Sequence, residues 1–194
     1  MARPREFDQE LVLDQAMHLF WEKGYERTSI QDLCKYTGIH RGSLYDTFGD
    51  KHELFLTCLD RFWQNAKGHS FFILEEPGAP KEVLERFFEM IIDNAMRDEK
   101  HRRGCFMINV AAELAPMDPN ISKRVEAYNL SVENLFYSFL LRAQQAGSIK
   151  SKHSLRQLSR FLANTRQGLF VMGKSATDRK VLQDVYKVAL SFIT

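Results

Sequence analysis

The sequence lacks the features of a membrane, secreted or β-sheet protein. It has no apolar run near the roughly 18 residues that a membrane span needs, and its first residues lack the apolar segment of a secretion signal. Its three cysteines, Cys34, Cys58 and Cys105, are far apart and show no CxxC spacing, which argues against a disulfide framework. Alternating strand patterns are also missing. We therefore expect an all-α protein in a reducing cytoplasm that contacts no membrane.

The motifs of common enzymes are missing as well. There is no G-x-S-x-G, no P-loop, no G-x-G-x-x-G and no HExxH, since His52-Glu53 has no second histidine. We therefore expect no enzyme activity and no cofactor. An all-helical enzyme of unrecognised chemistry and a helical adaptor that binds protein remain as alternatives to a DNA-binding protein. Salt separates them, because DNA affinity falls steeply with salt and an apolar protein contact does not.

An excess of charge of one sign is missing too, since the net charge is only +2. Residues 1–51 hold seven Lys/Arg and nine Asp/Glu, a net charge of −2 that leaves +4 for the rest. Phosphate contacts normally dominate DNA affinity. This balance therefore counts mildly against DNA binding, and a DNA-binding segment here must place its few cations well.

What the sequence does contain is helical periodicity. Residues 8–23 place Leu11, Ala16, Leu19 and Phe20 on one face, between a possible cap at Asp8 and a stop at Gly24. Two short helices follow, the first capped by Thr28 and the second ending at Gly49. Asp50, with Glu53 three residues on, begins a long helix.

The strongest break in the chain is the segment E-E-P-G-A-P at residues 75–80. Helical signals resume over 81–96 and after Arg103, then from the Asp118-Pro119 cap to Gly147. Further caps stand at Ser154 and at Thr177 or Asp178. The sequence predicts nine helices in two domains, residues 1–52 and 53–194.

The most informative stretch runs from Thr28 to Lys51. It predicts two short helices joined by a tight turn at Gly38, with Ile39 as a buried residue beside the turn. The second helix opens with His40-Arg41-Gly42-Ser43, small and polar side chains suited to the major groove. Arg41 can bond to guanine O6 and N7, and Ser43 to a base or a phosphate.

Residues 7–55 resemble the DNA-binding domain of the TetR (tetracycline-repressor-like) family. The resemblance rests on A-M-H-L-F-W-E-K-G-Y, T-S-I-Q-D-L and G-I-H-R-G-S-L-Y-D-T-F-G-D-K-H-E-L-F. It implies phosphate contacts from Thr28, Tyr45 and Lys51. It also implies that a second set of residues lies at or near the bases: Gln31, Arg41, Gly42, Ser43 and Thr47. His40 departs from the usual Ser or Thr cap, which either weakens the helix cap or adds a pH-sensitive phosphate contact.

The resemblance further implies an operator-binding homodimer that is a transcription repressor released by a small-molecule effector. The last two helices would then pair with their copies, and residues 155–173 and 181–193 are apolar enough to do so. The alternative is an intrachain pair. Their apolar and small residues are Leu155, Leu158, Phe161, Leu162, Gly168, Leu169, Phe170, Gly173, Val181, Leu182, Val185, Tyr186, Ala189, Leu190 and Ile193.

An effector pocket would lie between the middle helices, and it would suit a flat or apolar molecule. Each candidate taken singly is also an ordinary core residue. The candidates for an apolar lining are Phe62, Trp63, Phe87, Met90, Ile91, Tyr128, Phe136 and Phe139, with Asn109 and Arg166 as polar groups.

Cys105 follows the basic run Lys100-His101-Arg102-Arg103 and is expected in the first turn of a helix. Cations and a helix N-terminus both favour a reactive thiolate, which would suit a sensor of electrophiles or oxidants. Two other interpretations remain: a small buried hydrophobe, or a partial metal site with His101. Cys34 and Cys58 are expected in the core.

Overall fold

A computed structural model describes residues 7–97, 102–149 and 151–193. Over these residues the chain forms nine α-helices, one 3-10 helix and no strand, which confirms the expected all-α, nine-helix fold. The helices are α1 (Gln9–Lys23), α2 (Ile30–Thr37), α3 (Arg41–Phe48), α4 (Lys51–His69), the 3-10 helix (Phe71–Glu75), α5 (Pro80–Met96), α6 (Phe106–Glu113), α7 (Pro119–Gln145), α8 (Leu155–Met172) and α9 (Arg179–Leu190). No helix in the described part of the chain is long and apolar enough to span a bilayer.

The chain divides into two compact units between Asn65 and Ala66, which is inside α4. The sequence prediction had put the boundary at the start of α4. The difference arises because the first turns of α4 belong to the core of the N-terminal unit: Phe55 packs edge-on against Phe20 at 5.0 Å, and Phe62 against Trp21 at 5.4 Å. We call the two parts the N-terminal unit and the C-terminal unit.

In the N-terminal unit, α1 packs on α2 and on α4 through one apolar stripe. The stripe runs through Val12, Ala16, Leu19 and Phe20, the i, i+4, i+7, i+8 spacing of a single helix face. Leu11, which the sequence analysis put on this face, is 56% exposed. The prediction was wrong because Leu11 precedes the stripe by one residue, and 100° of helix rotation turns it outward. The Asp8 cap and the Gly24 stop are confirmed.

In the C-terminal unit, α7 and α8 pack along each other, and α5 packs against α8 and α9. An aromatic and polar contact joins α5 to α9: Phe88 stacks on Tyr186 at 5.6 Å between ring centroids. The Tyr186 hydroxyl donates to Glu89 at 2.5 Å, and Gln183 donates to the same carboxylate at 2.8 Å. Asp178, and not Thr177, caps α9.

Half of the apolar residues of α8 and α9 are buried within the protomer. Leu158, Leu162, Leu169, Leu182 and Tyr186 pack inward, so they belong to the intrachain core that the sequence analysis had kept as the alternative. A second, exposed set lies on or just after these helices. It consists of Phe161, Val171, Val181, Val188 and Phe192, which we call the outer apolar face.

Candidate functional site

The turn between α2 and α3 has the geometry that the sequence predicts. Gly38 ends α2 in the left-handed conformation with φ 74°, and its N–H donates to the Cys34 carbonyl at 2.9 Å. Glycine adopts this conformation without the steric cost that a Cβ brings. Ile39 and Leu44 are buried beside the turn. The chain therefore enters α3 with its first helical residues facing outward.

The polar side chains at the start of α3 are accessible. Arg41 and Gly42 are exposed, Ser43 is half-buried, and no heavy atom outside the helix lies within 4 Å of where a Cβ on Gly42 would stand. Gln31, on the first turn of α2, is exposed too, while Thr47 is half-buried. His40 is the N-cap of α3 and its side chain makes no capping hydrogen bond. The substitution of His for Ser or Thr therefore leaves this helix end without a side-chain acceptor.

Two cations of this region are held by tyrosine rings. The Arg41 guanidinium lies 5.4 Å from the centre of the Tyr45 ring and donates to the Tyr45 hydroxyl at 3.3 Å. Lys51 Nζ lies 4.2 Å from the centre of the Tyr25 ring. Each contact is weakly attractive and restricts the movement of a long side chain. The cations are therefore positioned before any DNA arrives.

Thr28 occupies a different place from the one predicted. Its side chain is 0% exposed, and its hydroxyl donates to the Gly24 carbonyl at 2.7 Å. Its N–H donates to the Tyr25 carbonyl. Ser29 is the actual cap of α2: Ser29 Oγ accepts from the Asp32 N–H at 3.0 Å, and the Asp32 carboxylate accepts from the Ser29 N–H at 3.0 Å. The S-x-x-D spacing of a capping box was the signal that the sequence analysis missed.

The acidic residues of the N-terminal unit are largely engaged in caps and ion pairs. Arg61 donates to both oxygens of Asp14, at 2.9 and 3.1 Å, and also pairs with Glu10. Hydrogen bonding to Arg61 lowers the pKa of the Asp14 carboxyl below its ordinary value. Lys23 pairs with Asp32 at 2.9 Å. Several of the negative charges in residues 1–51 therefore stabilise helix ends and helix packing.

In the C-terminal unit, Phe71 of the 3-10 helix brings together several predicted pocket residues. Its ring lies 5.5 Å from Phe87 and 6.4 Å from Phe136, and those two rings meet edge-on at 5.4 Å. The sequence analysis missed Phe71 because it lies in no periodic helix. Ile91 and Phe139 are buried in the same unit, whereas Phe62 and Trp63 belong to the N-terminal unit.

Arg166 of α8 is 3% exposed and lies among aromatic rings. Its guanidinium carbon is 5.1 Å from the centre of the Phe71 ring, 5.8 Å from Tyr128 and 4.7 Å from Phe170. Its Nη1 atom is buried and has no hydrogen-bond partner among the residues that the structure describes. The Phe71 and Phe170 rings supply weak attraction to a cation but accept no directed hydrogen bond. The polar neighbours of the guanidinium are the Tyr128 hydroxyl and the Cys105 sulfur.

Cys105 is the N-cap of α6, one position before the helical turn in which it was expected, and is 2% exposed. Its sulfur lies 3.4 Å from the Tyr128 hydroxyl. Asn109 donates through Nδ2 to the Arg103 carbonyl at 2.9 Å, so that amide group supports the loop before α6. Lys100 and His101 of the predicted basic run, and with them the metal alternative, lie outside the described residues. Within those residues no group of three metal-ligating side chains occurs.

The other two cysteines differ from each other. Cys58 is fully buried as expected, and burial, with a smaller effect of the Asp14 carboxylate, raises the pKa of its thiol well above the ordinary value. Cys34 is only half-buried, so the expectation that it lies in the core was wrong. It follows Leu33, which takes the inward position on the short α2 helix.

Comparison with known proteins agrees with both units. Residues 12–58 match the family described as bacterial regulatory proteins, tetR family, and residues 80–189 match the tetracyclin repressor-like C-terminal domain. The chain is 38% identical to the uncharacterized HTH-type transcriptional regulator YezE of Bacillus subtilis over 100% of both chains. It is 31% identical to the HTH-type transcriptional repressor ComR of Escherichia coli, over 95% of this chain and 88% of ComR.

Among solved structures, the fold matches a cysteine mutant of the TetR family transcriptional regulator CifR, complexed with 26-bp double-strand operator DNA. The TM-score is 0.86 at 25% identity, over 100% of both chains. The chain therefore belongs to the TetR family of bacterial transcription regulators. It is a DNA-binding regulator and not an enzyme, and its family acts as homodimers that respond to small-molecule effectors.

Proposed function

We propose that this protein is a repressor that reads its operator with the start of α3 and is released by an effector bound in the C-terminal unit. The observation that carries the proposal is the exposed Arg41, held against Tyr45, on a short helix that buried Leu44 anchors to the core. A recognition helix needs both properties, since its N-terminal side chains contact bases while the rest holds its angle.

The proposed contacts divide into two kinds. Arg41 reads a guanine, and the smaller or shorter side chains around it lie at or near the bases: Gln31, Gly42, Ser43 and Thr47. Tyr45 and Lys51 contact phosphates. Thr28 is left out of the side-chain contacts, because both its hydroxyl and its N–H are already bonded within the protein. Its role is to fix the turn that precedes α2.

We propose a homodimer formed through the outer apolar face of α8 and α9. Five exposed apolar side chains on adjacent helices exceed the isolated exposed hydrophobes of a monomer surface. Two recognition helices would then read half-sites about 34–36 Å apart, or a small multiple of that spacing, on a near-palindromic operator. Since a bacterial operator lies on the chromosome, we place the protein in the cytoplasm.

For effector release we propose that α4 is the lever, since this one continuous helix begins at Lys51 beside the proposed phosphate contacts and ends in the C-terminal unit. The effector either binds noncovalently near Phe71, Phe87 and Phe136 or modifies Cys105. In either case it must favour one arrangement of the dimer over the other. A typical coupling lowers operator affinity about 5- to 150-fold.

The DNA proposal is tested by gel shift with the DNA flanking this protein's gene, because such repressors often control a neighbour. We expect one fragment to bind with a Kd of about 10⁻⁸–10⁻¹¹ M and with affinity that falls steeply between 50 and 200 mM salt. Sedimentation at micromolar concentration should show a dimer. A stable monomer that binds its operator tightly would contradict the proposed assembly.

The cysteine version of release is tested with N-ethylmaleimide, which forms a C–S bond and places the thiol proton on the adjacent ring carbon. If Cys105 is the trigger, the reagent releases the wild type from DNA and leaves Cys105→Ser bound. Equal release of both proteins moves the trigger to half-buried Cys34 or to Cys58. If the reagent releases neither protein from DNA, covalent modification of a cysteine is excluded as the trigger, and noncovalent effector binding remains.

A further inference from the structure

Arg166 is a permanent positive charge that the C-terminal unit buries without a carboxylate partner among the residues that the structure describes. No carboxylate among the described residues forms an ion pair with Arg166. Eight other arginines and lysines of the two units do form ion pairs with carboxylates. A guanidinium stays charged in proteins. Burying an unpaired charge is costly, and a protein normally pairs such a group or neutralises it.

The neighbours of Arg166 compensate its charge only in part, through hydrogen bonds with the Tyr128 hydroxyl and the Cys105 sulfur. Desolvation raises the pKa of the Tyr128 phenol well above its ordinary value, so this hydroxyl is neutral at physiological pH. Phe71 and Phe170 offer only ring faces, at 5.1 and 4.7 Å. Nη1 is buried and lacks an acceptor among the described residues. The site therefore keeps one guanidinium nitrogen, Nη1, without an acceptor, and no described carboxylate pairs with the charge.

We propose that Arg166 is the anchor of an anionic effector, an organic carboxylate whose body packs against the rings of Phe71, Tyr128 and Phe170. This inference rests on the proposed function and names the ligand class for it. A carboxylate matches the planar fork of a guanidinium and accepts two parallel hydrogen bonds. The flat aromatic surroundings suit a planar, apolar body. The effector is therefore charged at one end, which the sequence alone did not indicate.

The experiment compares benzoate with benzamide, its uncharged analogue, by thermal unfolding of the full-length protein. At about one hundred times Kd we expect benzoate to raise the Tm of the wild type by about 5–10 °C, acetate to raise it less, and benzamide not to raise it. Inorganic phosphate is the fourth compound tested: a Tm shift from phosphate equal to that from benzoate would overturn the assignment to carboxylates.

Two variants on the same helix locate the effect. Arg166→Met keeps the length of the side chain and removes the charge, so it should abolish the benzoate shift and raise the Tm of the ligand-free protein. Arg160→Met removes an exposed arginine that pairs with Glu133 at 3.2 Å, and it should leave the benzoate shift at the wild-type value. If Arg166→Met instead lowers the ligand-free Tm, the contacts with Tyr128 and Cys105 already compensate the charge of the guanidinium and the proposal is wrong.

Operator binding separates this inference from the proposed function. Arg166→Met should bind operator DNA with wild-type affinity, which also shows that the variant is folded. Benzoate should weaken the wild type about 5- to 150-fold and leave Arg166→Met unchanged. If benzoate raises the Tm through Arg166 but leaves DNA affinity unaltered, the anion site at Arg166 is supported and the proposed release of DNA by an effector at this site is wrong. If no carboxylate stabilises the wild type more than Arg166→Met, the anion site is wrong while DNA binding is untouched.

Discussion

The two units place the residues of the proposed sites in opposite environments. In the N-terminal unit, Arg41 and Lys51 are solvent-accessible and are ordered by contacts with Tyr45 and Tyr25. In the C-terminal unit, Cys105 and Arg166 are almost wholly buried. A DNA duplex is too large to be enclosed and must be contacted by an exposed surface, whereas a small effector can be enclosed. The difference explains why one function is local in sequence and the other is assembled from distant helices.

The largest effects should come from the aromatic cores of the two units. Phe55→Ala removes a fully buried ring that lies 5.0 Å from Phe20, and Phe87→Ala removes one that lies 5.4 Å from Phe136. Each substitution should lower the free energy of unfolding by about 3–5 kcal/mol, measured by urea unfolding. At a temperature where both variants remain folded, we expect Phe55→Ala to lose operator affinity and Phe87→Ala to retain it. Equal loss in both would contradict the assignment of DNA binding to the N-terminal unit alone.

The accuracy of the sequence prediction also differs between the N-terminal and the C-terminal unit. In the α2–turn–α3 segment the two helices, the turn at Gly38 and the buried Ile39 were predicted, because these features lie within some twenty residues and each has a local physical reason. Leu11 and Thr28 were misplaced by one position on a helix face and at a cap. In the C-terminal unit the helices were predicted, but the contact of Phe71 with Phe136 and Arg166 joins residues far apart in sequence. Periodicity identifies which face is buried and does not identify what that face meets.

Arg41→Ala should weaken operator binding by about 1–3 kcal/mol and relax the preference at one base pair. The reason is that a bidentate arginine–guanine contact discriminates between bases. The measurement is a fluorescence anisotropy titration against the operator and a set of single-base variants. Arg86→Ala, an exposed arginine of the C-terminal unit paired with Glu76 at 3.0 Å, is the matched control and should change nothing. Uniform weakening on every sequence would make Arg41 a phosphate contact.

Lys51→Ala should weaken binding to all sequences alike and reduce the slope of log affinity against log salt by about one. Lys51 is held over Tyr25 at 4.2 Å, so its charge is in place before binding. The slope is measured from titrations between 50 and 200 mM salt. Lys123→Ala removes an exposed lysine of α7 and should leave the slope at its wild-type value. A loss of affinity that depends on the base sequence would contradict the proposed phosphate contact and would indicate that Lys51 contacts a base.

The smallest effect compares two capping boxes, one in each unit. Ser29 caps α2 with Asp32, and Ser154 caps α8 with Gln157. Replacing either serine by alanine should lower the free energy of unfolding by about 1 kcal/mol at pH 7. The partners differ in one respect that matters: Asp32 titrates and Gln157 does not.

Hydrogen bonds from Ser29, then from Lys23, hold the pKa of the Asp32 carboxyl well below its ordinary value. A folded-state pKa below the unfolded one stabilises the protein above the unfolded pKa of about 3.9, and this contribution is lost as the pH falls towards the folded pKa. The cost of Ser29→Ala should therefore shrink below about pH 4, while the cost of Ser154→Ala stays constant. Urea unfolding of both variants from pH 7 to pH 3 measures the difference. If the two costs change in parallel with pH, the Asp32 carboxylate contributes nothing to its cap beyond what the Gln157 amide contributes to the other.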